Sequence, residues 1–240
     1  MGGLAGVARP VLAVMKVTNS LKSPRTTLRR KPDRGAHDLD TIARILDEGL
    51  YCHVGFLSDG QPYVVPTSYG RDGDRLYIHG SSASRMLRSL SEGVPVCVTV
   101  TIADGVVLGR SAFHMSLDYR SVMVLGQATL VEGDEKTHGL ETIVEHMAPG
   151  RWADIRWPSA QELKATSVLR LNITEASAKV RDAGVVDEEA DYAMPVWAGV
   201  IPVSLVPGAP IPDARVLPGL EVPAYAANYR RPAGPPSTEV

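Results

Sequence analysis

Pro95-Val-Cys-Val-Thr-Val-Thr-Ile102 alternates without a break: Val96, Val98, Val100 and Ile102 point one way, and Cys97, Thr99 and Thr101 point the other. A period of two belongs to a strand with one face in a core. Val168–Ala176 repeats it, with Leu169, Leu171 and Ile173 opposed by Arg170, Asn172 and Thr174. Tyr51–Ser58 and Gln61–Tyr69 flank Asp59-Gly60, a dipeptide that favours a type I′ turn. A second turn at Arg71–Asp74 leads into Arg75–His79, so three strands follow as a meander with loops too short for a parallel crossover. Ser121–Glu132 supplies the sixth strand. Between the strands, Asp38–Gly49 carries Leu39, Ile42, Ile45 and Leu46 on one helical face, and Asp134–Met147 carries Leu140, Ile143, Val144 and Met147. Ser159-Ala-Gln-Glu162 is a capping-box pattern opening a short helix. An antiparallel sheet of this kind protects its edges best by closing, so the expectation is a mostly β chain forming a small barrel with peripheral short helices.

The chain has 240 residues, of which 44% are hydrophobic and 22% charged, with a formal net charge of −2. That balance excludes disorder throughout and argues against a nucleic-acid binder, which would show a basic excess. No run approaches the length of a membrane span, and the opening Gly2–Met15 is interrupted by Arg9 and Pro10, which fits no export signal. Cys52 and Cys97 read as reduced core thiols, so the expected location is the cytoplasm. Residues 1–35, with Lys22, Arg25, Arg29, Arg30, Lys31 and Arg34, read as a flexible basic arm. Residues 204–240 read as a proline-rich tail, since each proline removes a backbone donor. The folded domain is placed at 36–203.

Chemistry is harder to find. The chain lacks a Walker-type phosphate loop, an HExxH pair and a nucleophile elbow. His138 and His146 lie about 12 Å apart along one helix, too far to share an ion, and read as surface histidines. His79-Gly-Ser-Ser-Ala-Ser-Arg85 leaves a strand and offers Ser81, Ser82 and Ser84 before a guanidinium. Hydroxyls, free amides at a helix start and an arginine suit a phosphate monoester; a serine-capped helix with an exposed arginine is the plain alternative. Arg110–Ser121 is a polar stretch that is either a surface loop or a cover over a ligand.

Five segments carry a resemblance: Gly60-Gln-Pro-Tyr-Val-Val-Pro66, Leu76-Tyr-Ile-His-Gly-Ser-Ser-Ala-Ser-Arg-Met-Leu87, Asp104-Gly-Val-Val-Leu-Gly-Arg-Ser-Ala-Phe-His114, Asp118-Tyr-Arg-Ser121 and Met194-Pro-Val-Trp-Ala-Gly-Val-Ile-Pro202. From about Asp38 to Val203 the chain resembles the pyridoxamine 5′-phosphate oxidase-related family. The resemblance implies a six-stranded antiparallel Greek-key split barrel, a homodimer with FMN at the subunit interface, and oxidoreductase chemistry on a small-molecule substrate by hydride transfer at flavin N5. A nicotinamide is the implied candidate for electron exchange; neither nucleic acid nor membrane is an implied partner.

Carried onto this chain, the resemblance lays Val65, Pro66 and Thr67 along the flavin ring. It places His79, Gly80, Ser81, Ser82, Ser84 and Arg85 around the ribityl chain and phosphate, with Thr99 reaching the ring. Tyr119, Arg120, Ser121 and Trp197 would line the substrate side from the partner subunit, Arg120 stabilising the reduced flavin. His53 is a candidate proton donor, with a structural role as the alternative. The family pattern has a second cation where this chain has Met86, and an asparagine where it has Asp118. Two further readings use the same barrel: a non-catalytic flavin or haem binder, with His79 or His114 on iron, and a deazaflavin-dependent reductase whose cofactor tail would need the basic arm.

Overall fold

The computed structural model describes residues 20–232; the opening Gly2–Met15, Pro235 and Pro236 lie outside the described residues. Two antiparallel sheets form the body. The larger contains β1 (Gly35–Ala36), β2 (Cys52–Ser58), β3 (Gln61–Thr67), β6 (Pro95–Leu108), β7 (Ser116–Gln127), β10 (Glu175–Arg181) and β11 (Gly199–Pro202), in the order β1-β10-β7-β6-β2-β3 with β11 pairing the far end of β6. The smaller has the order β4-β5-β9-β8, from β4 (Tyr69–Asp72), β5 (Arg75–Ser81), β8 (Thr129–Val131) and β9 (Thr166–Asn172). The class is the expected split barrel, with eleven strands among the described residues where six were expected.

The alternation at Pro95–Ile102 sets the core. Val54, Val98, Val124 and Ala176 occupy one row across β2, β6, β7 and β10, and all are buried. Leu76, Ile78, Leu169 and Leu171 close the core from the smaller sheet, with α1 (Leu39–Glu48) and α2 (Arg85–Ser91) at its rims. Asp59 and Gly60, at φ 52° and 76°, make the primed turn that the dipeptide demands. The three-strand meander is corrected: β3 ends at Thr67 and β4 belongs to the other sheet. β3 is an edge strand, and Pro62 and Pro66 are tolerated there because their missing donors face the open side.

Both ends of the described span are tied down. Leu21 and Thr26 are buried, Leu21 pairs through its backbone with His37 and Ala176, and Arg25 bonds Glu175 at 2.9 Å. The basic segment from Leu21 is thus laid against β10 rather than free. The tail runs exposed from Val203, then forms the single turn α5 (Ala224–Ala227) after Pro223. None of the described helices is long and apolar enough to cross a membrane.

His146, on α3 (Gly133–Met147), departs from its expected surface role. Its ring packs on Tyr69 with centroids 4.4 Å apart, and Nε2 donates to the Gly49 carbonyl at 2.8 Å. His138 does sit at the surface, 2.9 Å from Asp72. Burial first, and then the Arg231 guanidinium beside it, push His146 down to about 4. An unfolded chain protonates this histidine near 6.5. Between those values the unfolded state binds a proton that the native state refuses, so stability held above pH 6.5 is lost as the pH falls towards 4. Urea unfolding should therefore show a lower midpoint at pH 5 than at pH 7.5, with a smaller difference in His146→Gln; an equal difference in both proteins contradicts this.

Candidate functional site

The turn from β5 into α2 holds polar groups that the fold leaves unused. Ser82 donates its amide to Ala165 at 2.9 Å, and Ser84 donates its amide to the Ser81 carbonyl at 2.8 Å, which fixes the turn. Ser84 occupies the N-cap of α2, yet its side chain makes no capping bond, so the first amides of that helix stay open. The Ser82 hydroxyl likewise has no partner among the described residues. Arg85 forms no ion pair within the described chain; its guanidinium lies over the Tyr63 ring, 4.9 Å from the centroid. His79 Nδ1 is buried without a hydrogen bond, and burial holds its ring below the usual histidine range and so uncharged at neutral pH. Met86, where a second cation was expected, is buried in the core, while Arg88 one turn on is exposed.

Tyr63 connects this turn to the core side of β3, where its ring stacks on Phe56. On the opposite, outer face of the larger sheet lies a depression of about 350 Å³, lined by Gly55, Leu57, Val64, Cys97, Leu125 and Arg25 among others. Next to it, Pro66, His53, Thr99 and Met123 form one cross-strand row, with Ser121 opposite Thr101 in the following row. Val64 is 68% exposed and Leu57 is 55% exposed, so this part of the face is apolar and open.

The expected site residues divide between surfaces. Pro66, His53, Thr99, Tyr119 and Ser121 share the outer face, whereas Val65 and Thr67 alternate to the core side. Arg120 also faces the core side. There it binds Asp104, with Nε to Oδ2 at 2.9 Å and Nη2 to Oδ1 at 2.7 Å, and it takes the Glu48 carboxylate at the end of α1. Its charge is spent on two carboxylates, which hold it protonated. Trp197 is exposed before β11, at the opposite end of β6 from Pro95. Asp118 is buried in an ion pair with Arg181, which also donates to the Gly184 carbonyl at 2.9 Å. This departure from the family pattern is therefore part of the packing between strands. Sequence reasoning missed this partner because Arg181 lies in an unrecognised strand.

Histidine bookkeeping is equally informative. His37 meets the Thr26 carbonyl at 3.1 Å, and His114 Nδ1 meets the Ser111 hydroxyl at 2.9 Å. His114 also lies 3.8 Å from both Asp187 and Glu188, so both of its ring nitrogens face partners. With His138 and His146 engaged as above, His53 and His79 alone keep rings without a hydrogen bond among the described residues.

A family model described as pyridoxamine 5′-phosphate oxidase matches residues 38–180, and the chain belongs to that family. Solved structures extend the likeness. The flavocytochrome Anf3 from Azotobacter vinelandii is 41% identical, over 87% of this chain and 98% of its own, with a TM-score of 0.82. An FAD and haem binding protein from Mycobacterium smegmatis is 36% identical, over 80% of this chain and 95% of its own, with a TM-score of 0.77. A putative 5-nitroimidazole antibiotic resistance protein from Bacteroides thetaiotaomicron is 25% identical, over 61% and 86%, with a TM-score of 0.52. No curated protein gives a significant match.

Asp118→Ala leaves Arg181 buried without its counter-charge and should lower stability by about 3 kcal/mol in urea denaturation. Asp118→Asn keeps an acceptor oxygen for Arg181 and should cost less; equal losses would remove the acceptor from the explanation.

Proposed function

We propose that this protein is a flavin-dependent oxidoreductase of flavocytochrome type, holding a flavin nucleotide at the β5–α2 turn and a haem on the outer face of the larger sheet. The observation that carries the proposal is the set of unused donors in one short turn: Ser82, Ser84, the open amides of α2 and Arg85. Such groups match phosphate oxygens in geometry and charge. The apolar depression on the outer face, across the larger sheet from Tyr63 and Arg85, suits a planar haem, because it excludes water from one face of the ring. FMN is the cofactor implied by the sequence resemblance; the near full-length likeness to an FAD and haem binding protein favours FAD.

When bound, the flavin supplies hydride and single-electron chemistry and the haem supplies single-electron chemistry. This chain's residues then have distinct tasks. Ser82, Ser84 and Arg85 grip phosphate, and Tyr63 holds the Arg85 guanidinium in place. Thr99 and Ser121 present hydroxyls to a small-molecule substrate or a nicotinamide on the open face. His53, on the outer face and without a hydrogen bond among the described residues, is the residue assigned to haem iron; His79 lies at the phosphate turn and is assigned to the flavin. This replaces His114, whose nitrogens are engaged.

Val64 and Leu57 are exposed apolar residues on neighbouring β3 and β2, of the kind that pair in oligomers, and the proposal includes a homodimer across this outer face. Tyr119 and Trp197 would then meet the cofactor of the partner subunit.

Two variants test the assignment. Arg85→Ala should weaken flavin binding about tenfold to a hundredfold, the scale of one charge-assisted hydrogen bond, as measured by flavin fluorescence titration. His53→Ala should abolish the Soret band after haem addition while flavin affinity stays within about twofold. Unchanged flavin affinity in the first variant removes the phosphate turn from the account. An unchanged Soret band in the second removes His53.

A further inference from the structure

Helices α1 and α3 end side by side, and neither helix can use its own last carbonyls. One residue from the far end of the chain takes four of the acceptors at this junction. Arg231 donates Nη2 to the Asp47 carbonyl and to the Gly49 carbonyl, each at 2.7 Å, Nε to the Glu48 carbonyl at 3.2 Å, and Nη1 to the His146 carbonyl. Two further contacts tie the same segment to α3: the Tyr229 hydroxyl donates to the Met147 carbonyl at 2.7 Å, and Arg151 donates to the Tyr225 hydroxyl at 2.7 Å. Helix C-termini carry partial negative charge, so a cation placed between two of them is favoured by both.

We infer that Arg231 is a latch that fastens the proline-rich segment as a closed strap, and that the strap is released when the guanidinium leaves its carbonyl nest. The other fastening is at Val203, whose amide donates to the Asp104 carbonyl at 3.0 Å where β11 ends. Between these points the described residues are almost all exposed, Leu205, Val206, Ile211 and Leu217 among them. The strap therefore has little of its own packing to hold it, and the latch end decides whether it stays. Its two limbs, at Pro207–Pro210 and Tyr225–Tyr229, form with Ala148 a cavity of about 240 Å³ that release of the strap dismantles.

The latch also touches the rest of the domain. Glu48, whose carbonyl accepts from Arg231, uses its carboxylate to hold Arg120 on β7. Asp47, whose carbonyl accepts as well, pairs its carboxylate with Arg71 on β4 through bonds of 2.7 and 2.5 Å. The charged and titratable groups around His146 are thus Arg231, Arg71, Asp47 and Tyr69, and Arg231 is the one that a tail substitution removes without altering the barrel. This inference does not depend on which cofactor the protein holds.

The test uses the full chain with Arg231→Gln and Arg231→Lys. In Arg231→Gln, hydrogen exchange at Asn228 and Tyr229 should speed up about tenfold or more, as expected for a segment that has come loose. The His146 titration midpoint, followed by its ring proton in NMR, should rise as the neighbouring cation goes. Arg231→Lys keeps the charge with fewer donors and should shift both readouts less, in the same direction. An unchanged midpoint or unchanged exchange in Arg231→Gln overturns the latch.

Discussion

A polar atom withdrawn from water without a partner is costly. At the turn where β5 passes into α2 one such atom, His79 Nδ1, lies beside an exposed Ser82 hydroxyl and an exposed Arg85 guanidinium that form no hydrogen bond or ion pair within the described chain. Other guanidiniums of the domain are engaged: Arg71, Arg120 and Arg181 each find a carboxylate, and Arg231 finds main-chain carbonyls at two helix ends. The contrast gives the turn its meaning. A serine at an N-cap that does not cap, an arginine without a counter-ion and a buried imidazole nitrogen without a partner share one explanation, a ligand that supplies the missing acceptors.

The barrel makes that arrangement possible. β5 delivers the turn from the smaller sheet while β3 brings Tyr63 and its open edge from the larger one, so Arg85 bridges the two sheets through a single stacking contact. On the opposite side of the larger sheet an apolar face runs across β2, β6 and β7. A phosphate grip on a rigid strand end suits a cofactor with a charged tail, and a flat apolar face suits a planar ring.

Much of this was legible in the sequence, and the failures have physical causes. The period of two at Pro95–Ile102 located β6 and its buried face, but the register shift between Ala103 and Gly105 broke the pattern and hid the strand's continuation to Leu108. The run Val168–Ala176 joined β9 to the first residues of β10, and β10 went unrecognised because Ala176, Ser177 and Ala178 are all buried and small, which erases alternation. The phosphate turn was visible as a run of hydroxyls before a guanidinium. Arg120 was visible too, as a charge, but not its two carboxylates, which come from α1 and β6 and meet it only in the fold. Arg231 had no signal at all: its partners are main-chain carbonyls, which every residue possesses.

The most direct measurement is the absorbance spectrum of the purified full chain, together with the mass of whatever small molecule it releases on denaturation. The account predicts flavin bands, a Soret band and a released mass equal to FAD or FMN. A colourless protein that releases no flavin, and gains no flavin absorbance when FAD or FMN is added, would contradict it.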